Sequence, residues 1–310
     1  MNWIERAKEV KEHPGISYSA LKRLNVSPKI YKAHIQLDET DSMMLGSALE
    51  TYLCFGEEEF NKYYTVLKTL APTGQMLKFC KALVDLGSIT EENFDKAFIA
   101  TEAKIGTAET FKNKWLSTEA KAYTLECLEA REKTAVPVDA YQKILELTLK
   151  CKTNPFLAYI FKNPKYQVPL YKHDVERDLY LKGLADIVFE KDGILYIIDI
   201  KTTALGVNGF LNTILKYRYD LQASWYAHLA NRPCVFQFLV LDTKYDDEPV
   251  VYELSQESLD KARDGFTLNN GRKFKGWNQL LDELVEHKKL DMWDYPMDVY
   301  KSNGIIKLDL

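Results

Sequence analysis

The sequence predicts an α/β fold in which a central mixed β-sheet is flanked by helices, and three observations carry the prediction. Between Leu181 and Thr203, two runs rich in Ile, Val, Leu and Tyr are split by Lys191-Asp192-Gly193, as in a hairpin. Cys234–Asp242 is a further apolar run of strand length. Helical spacing governs much of the rest: Asp41–Phe55 places Met44, Leu45, Ala48, Leu49, Tyr52 and Leu53 at helix periodicity.

Taken in order, Ser17 caps a short helix, and Ser27-Pro28 opens a second with proline at its first position. Glu57, Glu58 and Glu59 after Gly56 read as a solvated turn, and the aromatics from Glu59 to Leu67 as a short extended segment. Helices are expected at Gln75–Leu86, Glu91–Ala100, Thr118–Lys133 and Asp139–Lys152. Lys165–Val175 reads as a strand antiparallel to Leu179–Phe189 through the Glu176-Arg177-Asp178 turn, and Ile194–Ile200 follows as the hairpin partner. A loop over residues 204–209 leads to helices at Phe210–Lys216 and around Gln222–Tyr226. Glu248–Leu254 suits an edge strand. Ser255–Leu310 reads as helices carrying Arg272-Lys273-Phe274-Lys275 and His287-Lys288-Lys289, a solvated face whose interleaved Phe274 also suits a nucleic-acid backbone.

Length and charge set bounds. The 310 residues leave room for a large core, and 46% hydrophobic with 28% charged residues is the composition of an ordinary globular protein. The net charge of -4 shows no basic excess, which leaves binding of a polyanion to a local patch. The N-terminus has no apolar leader core and no stretch has the length of a membrane span, so a cytoplasmic protein is expected. Cys54, Cys80, Cys127, Cys151 and Cys234 are scattered with no Cys-x-x-Cys pair, so neither disulfides, zinc nor an iron–sulfur cluster is expected.

The chemistry concentrates in the hairpin. Asp186, Asp199 and Lys201 interrupt an otherwise apolar stretch, and a carboxylate in a covered strand is costly unless paired or bound to metal. Strand periodicity puts Asp199 and Lys201 on one face. Such a pair also occurs as a structural ion pair on sheets. On the long helix, Gly46 and Glu50 lie i,i+4, the pattern of a close-packing glycine and a solvated glutamate.

Gly183-Leu-Ala-Asp186, the short hairpin and Asp199-Ile-Lys-Thr-Thr203 together resemble the signature of the PD-(D/E)XK nuclease superfamily, most like its RecE-type exonucleases. The resemblance covers about residues 41–56 and 165–242 of a single domain over 1–310, with a helical insertion at about 75–152 and a helical extension at about 255–310. It implies a restriction-endonuclease-like core. Gly46-Ser-Ala-Leu-Glu50 matches the spacing of the first motif, with Glu where His is usual. The resemblance implies Glu50, Asp186, Asp199 and Lys201 as catalytic residues. Glu50, Asp186, Asp199 and the Ile200 carbonyl are then ligands of Mg2+ or Mn2+, an oxygen-donor set that suits hard cations. Thr202, Gln222 and Tyr226 are implied in substrate binding, and Gln167 falls where relatives carry Glu or Gln near the metal. The implied activity is 5′→3′ degradation of duplex DNA from an end, with a single-strand annealing recombinase as partner and homo-oligomerisation open. Alternatives are an endonuclease, a single-strand-specific nuclease, and a catalytically silent DNA-binding relative.

Overall fold

The computed structural model describes residues 3–35, 41–130 and 132–306. The chain divides into two compact units, one of Met1–Glu39 with Cys151–Leu310 and one of Thr40–Lys150. The second unit therefore starts well before residue 75, where an insertion was expected, and includes the Glu50 helix.

The first unit opens with α1 (Trp3–Glu12), a two-residue strand β1 (Ile16–Ser17), α2 (Tyr18–Val26) and α3 (Pro28–Lys32). The Ser17 hydroxyl accepts from Ala20 N, which stops one orphan donor of α2 from going unpaired, and Pro28 stands at the start of α3.

The second unit is mainly helical: α4 (Asp41–Phe55), α5 (Glu57–Tyr63), β2 (Tyr64–Val66), α6 (Gly74–Asp85), α7 (Glu91–Ala100), α8 (Ala108–Leu116), α9 (Ala120–Glu129), β3 (Thr134–Val136) and α10 (Val138–Thr153). The glutamates read as a turn instead form the first turn of α5, where their charge complements the helix N-terminus. The predicted helix at 118–133 is shorter, and its Arg131 lies outside the described residues. Phe79, Leu83, Phe94, Ala97, Trp115 and Tyr123 close one core, and β2 and β3 pair in parallel beside it. Tyr52 on α4 packs edge-on to Phe60 of α5 and to Tyr141 of α10.

Back in the first unit follow β4 (Lys165–Asp174), β5 (Leu179–Lys191), β6 (Ile194–Thr203), α11 (Leu211–Tyr217), α12 (Tyr219–Ala230), β7 (Cys234–Asp242), β8 (Val250–Glu253), α13 (Gln256–Asp264), β9 (Phe266–Thr267), β10 (Lys273–Phe274), α14 (Trp277–Leu290) and α15 (Met297–Lys301). Residues 307–310 of the expected helical tail lie outside the described residues. The sheet is mixed and six-stranded, in the order β1-β5-β6-β7-β8, with β4 also paired to β5. β6 and β7 run parallel because α11 and α12 supply the crossover between them. One face of the sheet packs Leu195, Ile197, Phe236, Phe238 and Val240 against Ala223 of α12 and Phe210. A neighbouring core joins Leu21 and Leu24 of α2 to Leu221 and Trp225 of α12 and to Trp277, Leu280 and Leu284 of α14. Among the described residues, no helix is long and apolar enough to cross a membrane.

Candidate active site

The site forms where the sheet loses its regularity. The β4–β5 ladder pairs Tyr166 with Ile187 and Val168 with Ala185 but skips Gln167 and Asp186, and the β5–β6 ladder ends at Ile187–Ile198. Gln167 is buried with φ of 48°, a left-handed conformation that costs a side-chain-bearing residue about 1–2 kcal/mol. Ala185 and Val188, three residues apart, both face the core beneath α12. Regular alternation would place them on opposite faces, so β5 switches face across Asp186-Ile187. The Arg6 guanidinium of α1 holds the irregular turn of β4 by donating to the carbonyls of Tyr166 (2.9 Å) and Gln167 (3.0 Å).

At this break the Asp186 carboxylate does what a strand backbone does elsewhere: its Oδ2 accepts from Ile200 N at 2.9 Å. The N–H and C=O of one strand residue point to the same edge, so the Ile200 carbonyl is directed toward the Asp186 side. Asp199 is 6% exposed. Its Oδ1 accepts from the Gln222 amide at 2.7 Å, and its Oδ2 stands 2.5 Å from Lys201 Nζ. The Lys201 ammonium also lies over the Tyr219 ring, 4.9 Å from the centroid. Gly183 faces α12 at close range: a Cβ there would come within 2.8 Å of Leu229 Cδ1 and 3.1 Å of the Tyr226 ring.

Burial raises the Asp199 pKa, against the Lys201 charge and the Gln222 hydrogen bond. For Lys201 burial acts downward, but the Asp199 carboxylate and then Asp186 outweigh it and hold the ammonium above the ordinary lysine range. The lysine is therefore charged at neutral pH.

These donors fit a hard divalent cation. Asp199 Oδ2 is buried against the Lys201 ammonium at 2.5 Å. With an Asp186 oxygen and the Ile200 carbonyl, it offers the all-oxygen set that Mg2+ and Mn2+ prefer. Glu50 belongs to the second unit, half-buried on α4. Among the described residues, no three acidic, His or Cys side chains gather as a metal-holding group.

The remaining expected site residues lie on β6 and on α12, which packs against the sheet. Gln222, expected on substrate, is buried and donates to Asp199. The Tyr226 hydroxyl donates to the Leu184 carbonyl at 3.0 Å. Both are drawn inward because α12 lies directly on the sheet, so their polar atoms satisfy the strands below. Thr202 alternates with Lys201 along β6 and so projects from the opposite face of the strand. Tyr18, Lys22 and Tyr219 were not anticipated. The Tyr18 hydroxyl donates to the carbonyls of Tyr217 and Arg218, both at 3.0 Å, and burial pushes its phenol well above the usual range. No local pattern marks these three, since their neighbours come from distant segments.

No family model matches the sequence. Over 100 residues it is 35% identical to the RecBCD enzyme subunit RecB of Borreliella burgdorferi (strain B31), a stretch that is 29% of this chain; the chain spans 8% of that relative's length. Among solved structures, a protein from Eubacterium rectale provisionally named an exonuclease aligns over 100% of this chain and 94% of its own, at 10% identity and a TM-score of 0.49. SSO0001 aligns over 71% of this chain and 82% of its own, at 15% identity and a TM-score of 0.26.

Proposed function

We propose that this chain is a metal-dependent deoxyribonuclease with a PD-(D/E)XK core, degrading linear duplex DNA from its ends in the 5′→3′ direction during phage-type recombination or repair. The observation that carries the reading is the convergence of Asp186, Asp199 and Lys201 at the interruption in β5. The local identity to a RecB subunit supports the same class of protein.

A divalent cation held by Asp186, Asp199 and the Ile200 carbonyl would polarise the scissile phosphate and acidify the attacking water. The chain's own groups prepare that site. Gln222 holds Asp199 through Oδ1, while Oδ2 is paired with Lys201 and would be shared with a bound cation. Lys201 keeps its proton and is positioned to stabilise charge building on the phosphoryl oxygens. Tyr219 backs the ammonium and restricts where it swings. Asp186 is fastened to the backbone N–H of Ile200, the residue next to Asp199 on β6.

The test offers end-labelled linear duplex and covalently closed circular DNA to the protein, with Mg2+ or with EDTA. Linear DNA should be shortened from the 5′ end, the circle should survive, and EDTA should stop the reaction. Full turnover in EDTA would remove the metal mechanism, and cutting of the circle would make the protein an endonuclease. The resemblance adds Glu50 to the catalytic set. Glu50→Gln should lower turnover about a hundredfold with unchanged melting temperature, and retained turnover would take Glu50 out.

A further inference from the structure

Beside the catalytic lysine stands a second lysine with no acid to balance it. Lys22, on α2, is half-buried and makes no ion pair with any described residue. Its ammonium lies over the Tyr217 ring at 5.8 Å, and the Lys216 ammonium lies over the same ring at 5.1 Å. Burial first, and then repulsion from Lys201, hold the Lys22 pKa below the ordinary lysine value. Lys201 is paired with Asp199, but Lys22 has no carboxylate of its own, and an anion bound beside it relieves the repulsion.

Lys216 also leads into a cavity of about 420 Å³ lined by Arg218, Arg272, Lys273 and Lys275. Its acids are already engaged: Glu283 and Asp298 both pair with Lys275. Arg218 is paired with Asp220. That leaves Lys216, Arg272 and Lys273 without an ion pair among the described residues. The Arg272 guanidinium is held over the Phe274 ring at 4.8 Å, and the Tyr217 ring is 40% exposed between the lysines and solvent. The Tyr18 hydroxyl pins the carbonyls of Tyr217 and Arg218, so the segment joining the catalytic lysine to the cavity is fixed in place.

We propose that Lys22, Lys216, Arg272 and Lys273 form a phosphate track that leads from the Asp199–Lys201 pair into this cavity, and that its occupant is the sugar–phosphate backbone of DNA. The proposal rests on the nuclease reading for the identity of the polyanion. Lys22 and Lys216 share the Tyr217 ring, while Lys216, Arg272 and Lys273 line the cavity, so the cations are spread over two adjoining places, which suits successive phosphates better than a single anion. The exposed Tyr217 offers a plane on which a base or sugar can rest.

The test uses the full chain carrying Asp199→Asn, with fluorescein-labelled linear duplex DNA in EDTA, and measures affinity by anisotropy from about 50 to about 200 mM salt. Lys22→Ala and Arg272→Ala should each weaken binding about threefold to tenfold and flatten the salt slope by about 0.9. Lys191→Ala, at the hairpin turn five residues along β5 from Asp186, serves as the charge-matched control and should change neither. Unchanged affinity and slope in both track variants would overturn the proposal, as would an equal loss in the control. Cleavage by the chain with Asp199 intact is scored separately. Track-dependent binding without any cleavage defeats the nuclease reading and leaves the track. Normal cleavage with track-independent binding defeats the track alone.

Discussion

The two halves of the sheet are built to opposite standards. β6 and β7 pair from Leu195–Cys234 to Thr203–Asp242 with no skipped position, and Phe236 to Asp242 are all buried. β4 and β5 pair over a similar length, yet they skip Gln167 and Asp186 and carry a left-handed residue mid-strand. The regular half fixes where β6 runs, and the irregular half releases one carboxylate and one backbone edge from sheet duty. A carboxylate that is to meet a ligand needs both: a rigid mount and a gap in the hydrogen-bond ladder to point into.

The sharpest way to break this comparison is Asp199→Asn, which keeps the mount and removes the charge. Turnover should fall about a hundredfold to a thousandfold, while the circular dichroism spectrum and melting temperature stay close to those of the parent. Turnover near the parent level would show that Asp199 is a structural partner of Lys201. Asp186→Ala probes the gap itself. It leaves Ile200 N without its acceptor, so besides lost turnover it should cost about 1–3 kcal/mol in denaturant unfolding. A fully stable variant would mean that β5 closes the gap with its own backbone.

Gln222→Ala asks whether α12 holds the carboxylate. Turnover should drop about tenfold, and Gln222→Glu, which sets a second carboxylate against Asp199, should be worse than alanine. If glutamate and alanine were equivalent, the Gln222–Asp199 hydrogen bond would be without consequence. The smallest effect belongs to Gln167. Both Gln167→Gly and Gln167→Ala lose the side chain, but only glycine adopts φ of 48° without strain. The glycine variant should therefore be the more stable of the two by about 1 kcal/mol, the reverse of the usual order in a strand. Alanine above glycine would place Gln167 in ordinary extended backbone.

The same contrast explains what could be read from the sequence. Cys234–Asp242 and Glu91–Ala100 fall where the pattern puts them, because burial and helix periodicity write themselves into local composition. Asp186, Asp199 and Lys201 stood out as charges in apolar strands, and the fold brings them together. α5 was misread since three glutamates in a row look like a loop unless the helix dipole is weighed. Gln222 was read as a substrate contact because its partner, Asp199, comes from a different element of the fold. The left-handed turn at Gln167 had no glycine or asparagine to announce it.

The sheet unit is discontinuous in the chain: β1 pairs in parallel with β5 at Ile16–Leu181 and Ser17–Lys182, across the whole of the helical unit. On the ribosome, α1 to α3 emerge before the helical unit and cannot find their sheet until β5 has been made. The helical unit has its own core and emerges complete in the interval, so it is free to fold first. Its collapse then shortens the effective loop that β1 must close, which lowers the entropic cost of assembling the sheet. Slow synthesis between residues 40 and 150 should thus favour correct assembly, with the N-terminal helices waiting as an unpaired, aggregation-prone segment until β5 arrives.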